Sequence, residues 1–218
     1  MNESLEEIFF NRLTRRCDKW LPYFEIYENY FNKFRNQCPT VVEVGVQFGG
    51  SMEMWKEYFG PGAKIYGVDH AKEILDLNLD GIQLSVGDQS DPDFWKNFLT
   101  NIEKIDCFID DGGHRMQQQI ITLLSVWPKI SVGGVYICED THTSYWDHYD
   151  GGFQRPTTMI EFSKHLIDFL HYEHFIKYTP PEEMKTIFDE LGTIHFYNSM
   201  IVLVKGKKSF QRVIVNDH

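Results

Sequence analysis

Apolar residues in this chain fall into short unbroken runs separated by stretches with helical spacing. Five runs read as strands: Val41–Val46, Lys64–Asp69, Ile82–Val86, Ile105–Ile109 and Gly134–Cys138. Such runs suit strands covered on both faces. Between them, helical spacing recurs at Met52, Met54, Trp55 and Tyr58, then from Asp91-Pro92 through Phe98, and again from Met116 through Trp127. A further helix is predicted over 156–170 and a short one over 181–191, after the break at Thr179-Pro180-Pro181. Residues 3–35 also read as helical, with Pro22 dividing two helices. Ile194 to Val204 reads as a hairpin around Asn198-Ser199, followed by a basic, then polar, tail from Gly206. Strands alternating with helices and closed by a hairpin predict an α/β fold: a doubly wound, mostly parallel sheet with an antiparallel addition.

Polar residues interrupt this pattern at the strand ends. The run Ile105–Ile109 stops on Asp110 and Asp111, turns through two glycines and reaches His114 where a helical pattern begins. The run Gly134–Cys138 stops on Glu139 and Asp140, and Asp111 and Glu139 lie 28 positions apart. That offset leaves room for one helix and a return strand, so both acidic ends fall on one sheet edge. Carboxylates converging with a histidine suit a hard divalent cation such as magnesium, calcium or manganese. Glu43 is unusual inside an apolar strand. The glycine-rich turn after it (Gly45, Gly49, Gly50) lets a ligand approach the backbone at a helix N-terminus. Asp69 ends the next strand, at roughly the 20-residue offset where an acid accepts ribose hydroxyls. Asp88 completes the predicted carboxyl edge with Gly45, Asp69, Asp111, Glu139 and Asp140. The aromatic and polar stretch 141–152 reads as a long functional loop.

Composition narrows the partners. The net charge of −11 over 218 residues disfavours nucleic acid and anionic membrane surfaces. No apolar run approaches the ~20 residues of a membrane helix. The acidic N-terminus has no signal-peptide profile, and the four cysteines show no ligand spacing, which fits a reducing cytoplasm. The cluster Arg12, Arg15, Arg16 and Lys19 reads as a solvated helix face. The aromatics of residues 3–35 suit either packing on the sheet, a pocket lining or a homo-oligomeric contact.

Glu43-x-Gly45-x-x-x-Gly49-Gly50-Ser51, Asp110-Asp-Gly-Gly-His114 and Glu139-Asp-Thr-His-Thr-Ser-Tyr-Trp146 together resemble motifs of a known family. These are the metal-dependent sugar O-methyltransferases of macrolide biosynthesis, and the resemblance covers roughly residues 40–205. Gly113 and Thr141 depart from the family's usual Ser and Leu, and the large N-terminal domain of the mycinamicin enzyme is expected to have no counterpart here. The resemblance implies a seven-stranded class I methyltransferase fold that uses S-adenosylmethionine and Mg2+ on a small-molecule or sugar hydroxyl. It implies a helical extension over 1–38, a cofactor-binding domain over 39–206 and a tail over 207–218. Asp111, Glu139 and Asp140 would hold the metal and His114 would be the base. Glu43, Gly45, Gly49, Ser51, Asp69, Asp88, Gln89 and Asp110 would contact the cofactor. His142 would be a second base or a residue that orders its loop, with Tyr145 and Trp146 beside the acceptor or packing the loop. A metal-free methyltransferase, a non-catalytic cofactor-binding module and an oxidising enzyme on the same fold are the alternatives.

Overall fold

A computed structural model describes residues 3–175, 177, 179 and 181–206; the predicted tail over 207–218 lies outside them. Its strands are β1 (Thr40–Val44), β2 (Lys64–Asp69), β3 (Ile82–Val86), β4 (Ile105–Asp110), β5 (Ile130–Cys138), β6 (Leu191–Tyr197) and β7 (Met200–Lys205). Its helices are α1 (Leu5–Asn11), α2 (Leu21–Phe31), α3 (Gly50–Phe59), α4 (Pro92–Phe98), α5 (Met116–Val126), α6 (Met159–Leu170) and α7 (Lys185–Glu190). The strands form one seven-stranded sheet in the order β3-β2-β1-β4-β5-β7-β6. The first five are parallel, and the β6–β7 hairpin joins β5 antiparallel.

Alternation along each strand divides the core in two, because successive side chains point to opposite faces. Val42, Val44, Phe108, Tyr136 and Leu203 face one layer, with Trp95, Leu123, Trp127 and Leu166 from the helices. Val41, Cys107, Ile109, Val135 and Val202 face the other, with Tyr27, Phe31, Trp55 and Phe59. Cys107 and Cys138 are free thiols buried in the strands, where they serve as small apolar groups.

The structure adds local detail to these expectations. The helical spacing of 3–35 resolves into two short helices joined by an irregular segment over 12–20, and Pro22 lies in the first turn of α2, where its missing N–H costs nothing. Between β2 and β3 there is only a 3-10 turn, Lys72–Asp76. The 156–170 helix starts at Met159, where the Thr158 side chain accepts a hydrogen bond from Glu161 N. The 141–152 loop is compact: it holds the 3-10 turns Thr141–Tyr145 and Asp147–Tyr149, with Thr141, Thr143 and Ser144 buried.

Register brings the strand ends together. Val44 of β1 lies opposite Asp110 of β4, and Asp110 opposite Cys138 of β5. The ladder continues one step beyond: Asp111 N donates to Val44 O at 3.0 Å, and Glu139 N donates to Asp110 O at 2.9 Å. Gly45, Asp111 and Glu139 are therefore neighbours at the carboxyl edge.

Candidate active site

A cleft of about 350 Å³ opens at this edge, lined by Gly45, Asp69, Asp88, Gln89, Gly112 and Gly113 among others. Gly45 adopts φ +104°, and a Cβ there would lie 2.0 Å from the Asp111 carbonyl oxygen. Only glycine lets β1 end this close to the β4 turn. Gly49 caps α3 in the left-handed conformation, and Ser51 is buried in the first turn of that helix. Asp69 is nearly buried; Oδ2 accepts from Gln47 N and Oδ1 from Ala71 N, both at 3.0 Å. Asp88 is exposed, and the Ser90 hydroxyl and N–H hold its carboxyl below its ordinary range.

One residue expected to contact the cofactor, Asp110, is turned away from the cleft. Asp110 shares its strand face with Phe108, so its side chain enters the core rather than the cleft. There Gln89 Nε2 donates to Oδ1 at 3.0 Å and Tyr136 OH donates to Oδ2 at 2.9 Å. Burial still pushes the Asp110 carboxyl up. The Gln89 amide joins the same network, with its Oε1 accepting from Gly113 N at 2.7 Å, and the residue lines the cleft. Together the pair pins the glycine turn that leads to His114.

The acidic centre contains a residue that sequence reasoning misplaced. The side chain of Lys19, expected on a solvated face, is 1% exposed. Its Nζ lies 2.6 Å from Asp111 Oδ2, 3.0 Å from both oxygens of Glu139 and 3.4 Å from Glu43 Oε1. Burial works against the ammonium, but Asp111 and Glu139 outweigh it and hold Lys19 well above its ordinary value. Burial likewise raises Glu139, with the Asp111 charge adding to it, and pushes the Glu43 carboxyl up to about 7. Glu43 also accepts from Trp55 Nε1 at 3.0 Å, and Glu139 accepts from Tyr27 OH. The sequence signal for Lys19 was faint: one of four cations between the α1 pattern and the aromatic start of α2, against three acids that needed a counter-charge.

Glu139 thus stands apart from the other nominated ligands. Ligand atoms of Asp111, His114 and Asp140 lie within 4.8 Å of one another, all partly exposed. Nε2 of His114 is 3.6 Å from Asp140 Oδ2. The His114 backbone is left-handed (φ 55°), and its Nδ1 is buried without a hydrogen-bond partner. Asp140 is also left-handed, and its Oδ1 accepts from Tyr23 OH at 2.8 Å. His142 is not in this group: its Nδ1 pairs with the Ser199 hydroxyl, and its ring stacks on Trp20 at 5.0 Å. Trp146 meets the edge of His142 at 4.6 Å, and Tyr145 and Trp146 stay half exposed beside it. A second cavity of about 300 Å³, lined by Phe9, Trp20, Tyr23, Asp111 and Asp140 among others, opens on the acidic centre.

Strand order and the carboxyl-edge cleft define a class I, Rossmann-like methyltransferase fold. Comparison with known proteins makes this specific: the homologues of the chain are sugar O-methyltransferases. It is 34% identical over 207 residues to the 8-demethyl-8-alpha-L-rhamnosyl tetracenomycin-C 2'-O-methyltransferase of Streptomyces olivaceus, covering 90% of this chain and 54% of that protein. It is 29% identical over 194 residues to the mycinamicin VI 2''-O-methyltransferase of Micromonospora griseorubida, covering 83% of this chain and 47% of that one. The solved structure of MycE methyltransferase in complex with Mg, SAH and mycinamycin VI matches with a TM-score of 0.82 at 26% identity, over 94% of this chain and 54% of that chain. The chain spans about half the length of the curated relatives it matches. No protein-family model matches it. Among the described residues, no helix is long and apolar enough to cross a membrane.

Proposed function

We propose that this chain transfers a methyl group from S-adenosylmethionine to a hydroxyl of a sugar or another vicinal diol, with a divalent cation, Mg2+, at its acidic edge. The observation that carries the reading is the convergence of Asp111, His114 and Asp140 beside a glycine-lined cleft, in a chain homologous to sugar O-methyltransferases.

The residues present fit both groups. The Asp111 and Asp140 carboxylates offer hard oxygen donors open to solvent on one side, with the His114 imidazole beside them. The cleft has the volume of a small-molecule site and runs along the carboxyl ends of β1, β2 and β3, where open α/β sheets bind ligands. Asp111 and Asp140 would hold the cation, with Glu139 as a third ligand should it turn from Lys19. Gly45, Gly49, Ser51 and Glu43 would receive the amino-acid end of the cofactor, Asp69 the ribose and Asp88 the adenine side. When bound, the cofactor supplies an electrophilic methyl and the cation acidifies an acceptor hydroxyl.

His114 is the proposed base. Nε2, which faces Asp140 Oδ2 at 3.6 Å, would take the proton of the acceptor hydroxyl, and the Asp140 charge would stabilise the imidazolium that forms. Tyr23 holds Asp140 in turn. Trp20, Tyr145 and Trp146 offer exposed aromatic surface for a sugar ring. His142, engaged by Ser199 and Trp20, orders its loop. The cofactor-binding unit would span 39–206.

A metal-independent transferase is the second reading, and Lys19 favours it, since an ammonium already neutralises Asp111 and Glu139. One assay separates the two. S-adenosylmethionine is incubated with the protein and a panel of rhamnosides and other diols, and the products are examined by mass spectrometry with and without EDTA. Methylated product that disappears on chelation and returns with Mg2+ is expected. Undiminished turnover in EDTA rejects the metal, and absence of cofactor binding by calorimetry rejects methyl transfer altogether.

A further inference from the structure

Lys19 brings a full positive charge into the place where the acidic strand ends meet. Glu43 belongs to β1, Asp111 follows β4 and Glu139 follows β5, three adjacent strands. The ammonium touches all three carboxylates, and the Lys19 side chain is 1% exposed. It arrives on the 12–20 segment, which is anchored on both sides. Thr14 N and Oγ1 donate to Glu53, and Trp20 stacks on His142. A buried ammonium without such partners would be expelled.

Asp111 and Glu139 are two of the acids nominated for a divalent cation. An ammonium and a divalent cation cannot share the same oxygens without strong like-charge repulsion. The conflict persists if the cation takes the outer group of Asp111, His114 and Asp140, because Asp111 serves both. We propose that Lys19 is a tethered internal cation that competes with the divalent metal for the acidic centre, holding its carboxylates together when no metal is bound and setting the metal affinity. This rests on the metal-dependent form of the proposed function.

The test measures Mg2+ binding directly, by calorimetry on the full chain and on Lys19→Met and Lys19→Gln, with thermal unfolding of each at rising Mg2+. Neutral variants should bind Mg2+ about tenfold tighter or more, because the charge repulsion is gone. They should lose thermal stability without metal and regain it with millimolar Mg2+. Equal or weaker Mg2+ binding in both variants overturns the competition and leaves the metal reading standing. Absence of Mg2+ binding to the wild type and to both variants overturns the metal reading and the competition with it. Failure of both variants to fold even in millimolar Mg2+ also overturns the proposal, since the metal should then replace the lost ammonium.

Discussion

At the scale of single residues, the site depends on how closely two backbones approach. Gly45 follows β1 with its α-carbon against the Asp111 peptide, and its φ of +104° is one that side chains rarely adopt. Alanine there would place a methyl 2.0 Å from the Asp111 carbonyl oxygen, which is backbone and cannot rotate aside. The strand ends would have to part, taking Asp111 away from Asp140 and His114. Gly45→Ala should therefore lower stability by on the order of 3 kcal/mol. It should also weaken S-adenosylmethionine binding. Urea unfolding and calorimetry on the same protein check both, and a variant with wild-type stability would show that the close approach is not required.

At the scale of elements, the opposite edge of the sheet has its own lock. Asp106, near the start of β4, accepts from Thr40 N of β1 at 3.0 Å, from the Ser131 hydroxyl of β5 at 2.7 Å and from Lys104 Nζ at 3.1 Å. Burial alone would raise its carboxyl, but these three donors outweigh burial and hold it below its ordinary value. A carboxyl lowered by folding contributes stability in full above its unfolded value, about 4, and loses it as the pH falls through the folded value. The stability difference between wild type and Asp106→Asn should thus be largest at neutral pH and shrink below about pH 4. Urea unfolding at stepped pH measures it, and a difference independent of pH would remove the role of the charge. Elements also show what the sequence makes legible. Acids that close apolar runs mark strand ends, so the carboxyl edge with Asp69, Asp111 and Asp140 could be drawn from pattern alone. Asp110 was assigned to the cofactor through the family resemblance, and its side chain enters the core instead. The alternation that puts Asp110 on the Phe108 face was the signal against it. Lys19 gave less warning, because its partners lie 92 and 120 positions away and no local period reports a contact of that range.

At the scale of the whole molecule, α1 and α2 pack into the core on one side of the sheet, and α2 reaches the candidate site. One face of the sheet, with Val41, Cys107 and Ile109, is buried by Tyr27, Phe31, Trp55 and Phe59. Phe31 is fully buried, stacks on Tyr27 at 6.0 Å and meets Trp55 and Phe59, each at 5.7 Å. α2 also sends the Tyr23 and Tyr27 hydroxyls to Asp140 and Glu139. Trp95 and Trp127 lie across the sheet in the other layer. If the helices were an appendage, Phe31→Ala would free them while that second layer stayed folded. If they complete the core, the cavity should cost about 3–5 kcal/mol and the whole chain should feel it. The second outcome is expected: far-UV circular dichroism and tryptophan emission should give coincident urea transitions, both moved to lower urea by Phe31→Ala. Two separated transitions would mean that the N-terminal helices fold apart from the sheet, and that the hydroxyls steadying Asp140 and Glu139 come from an element able to leave on its own.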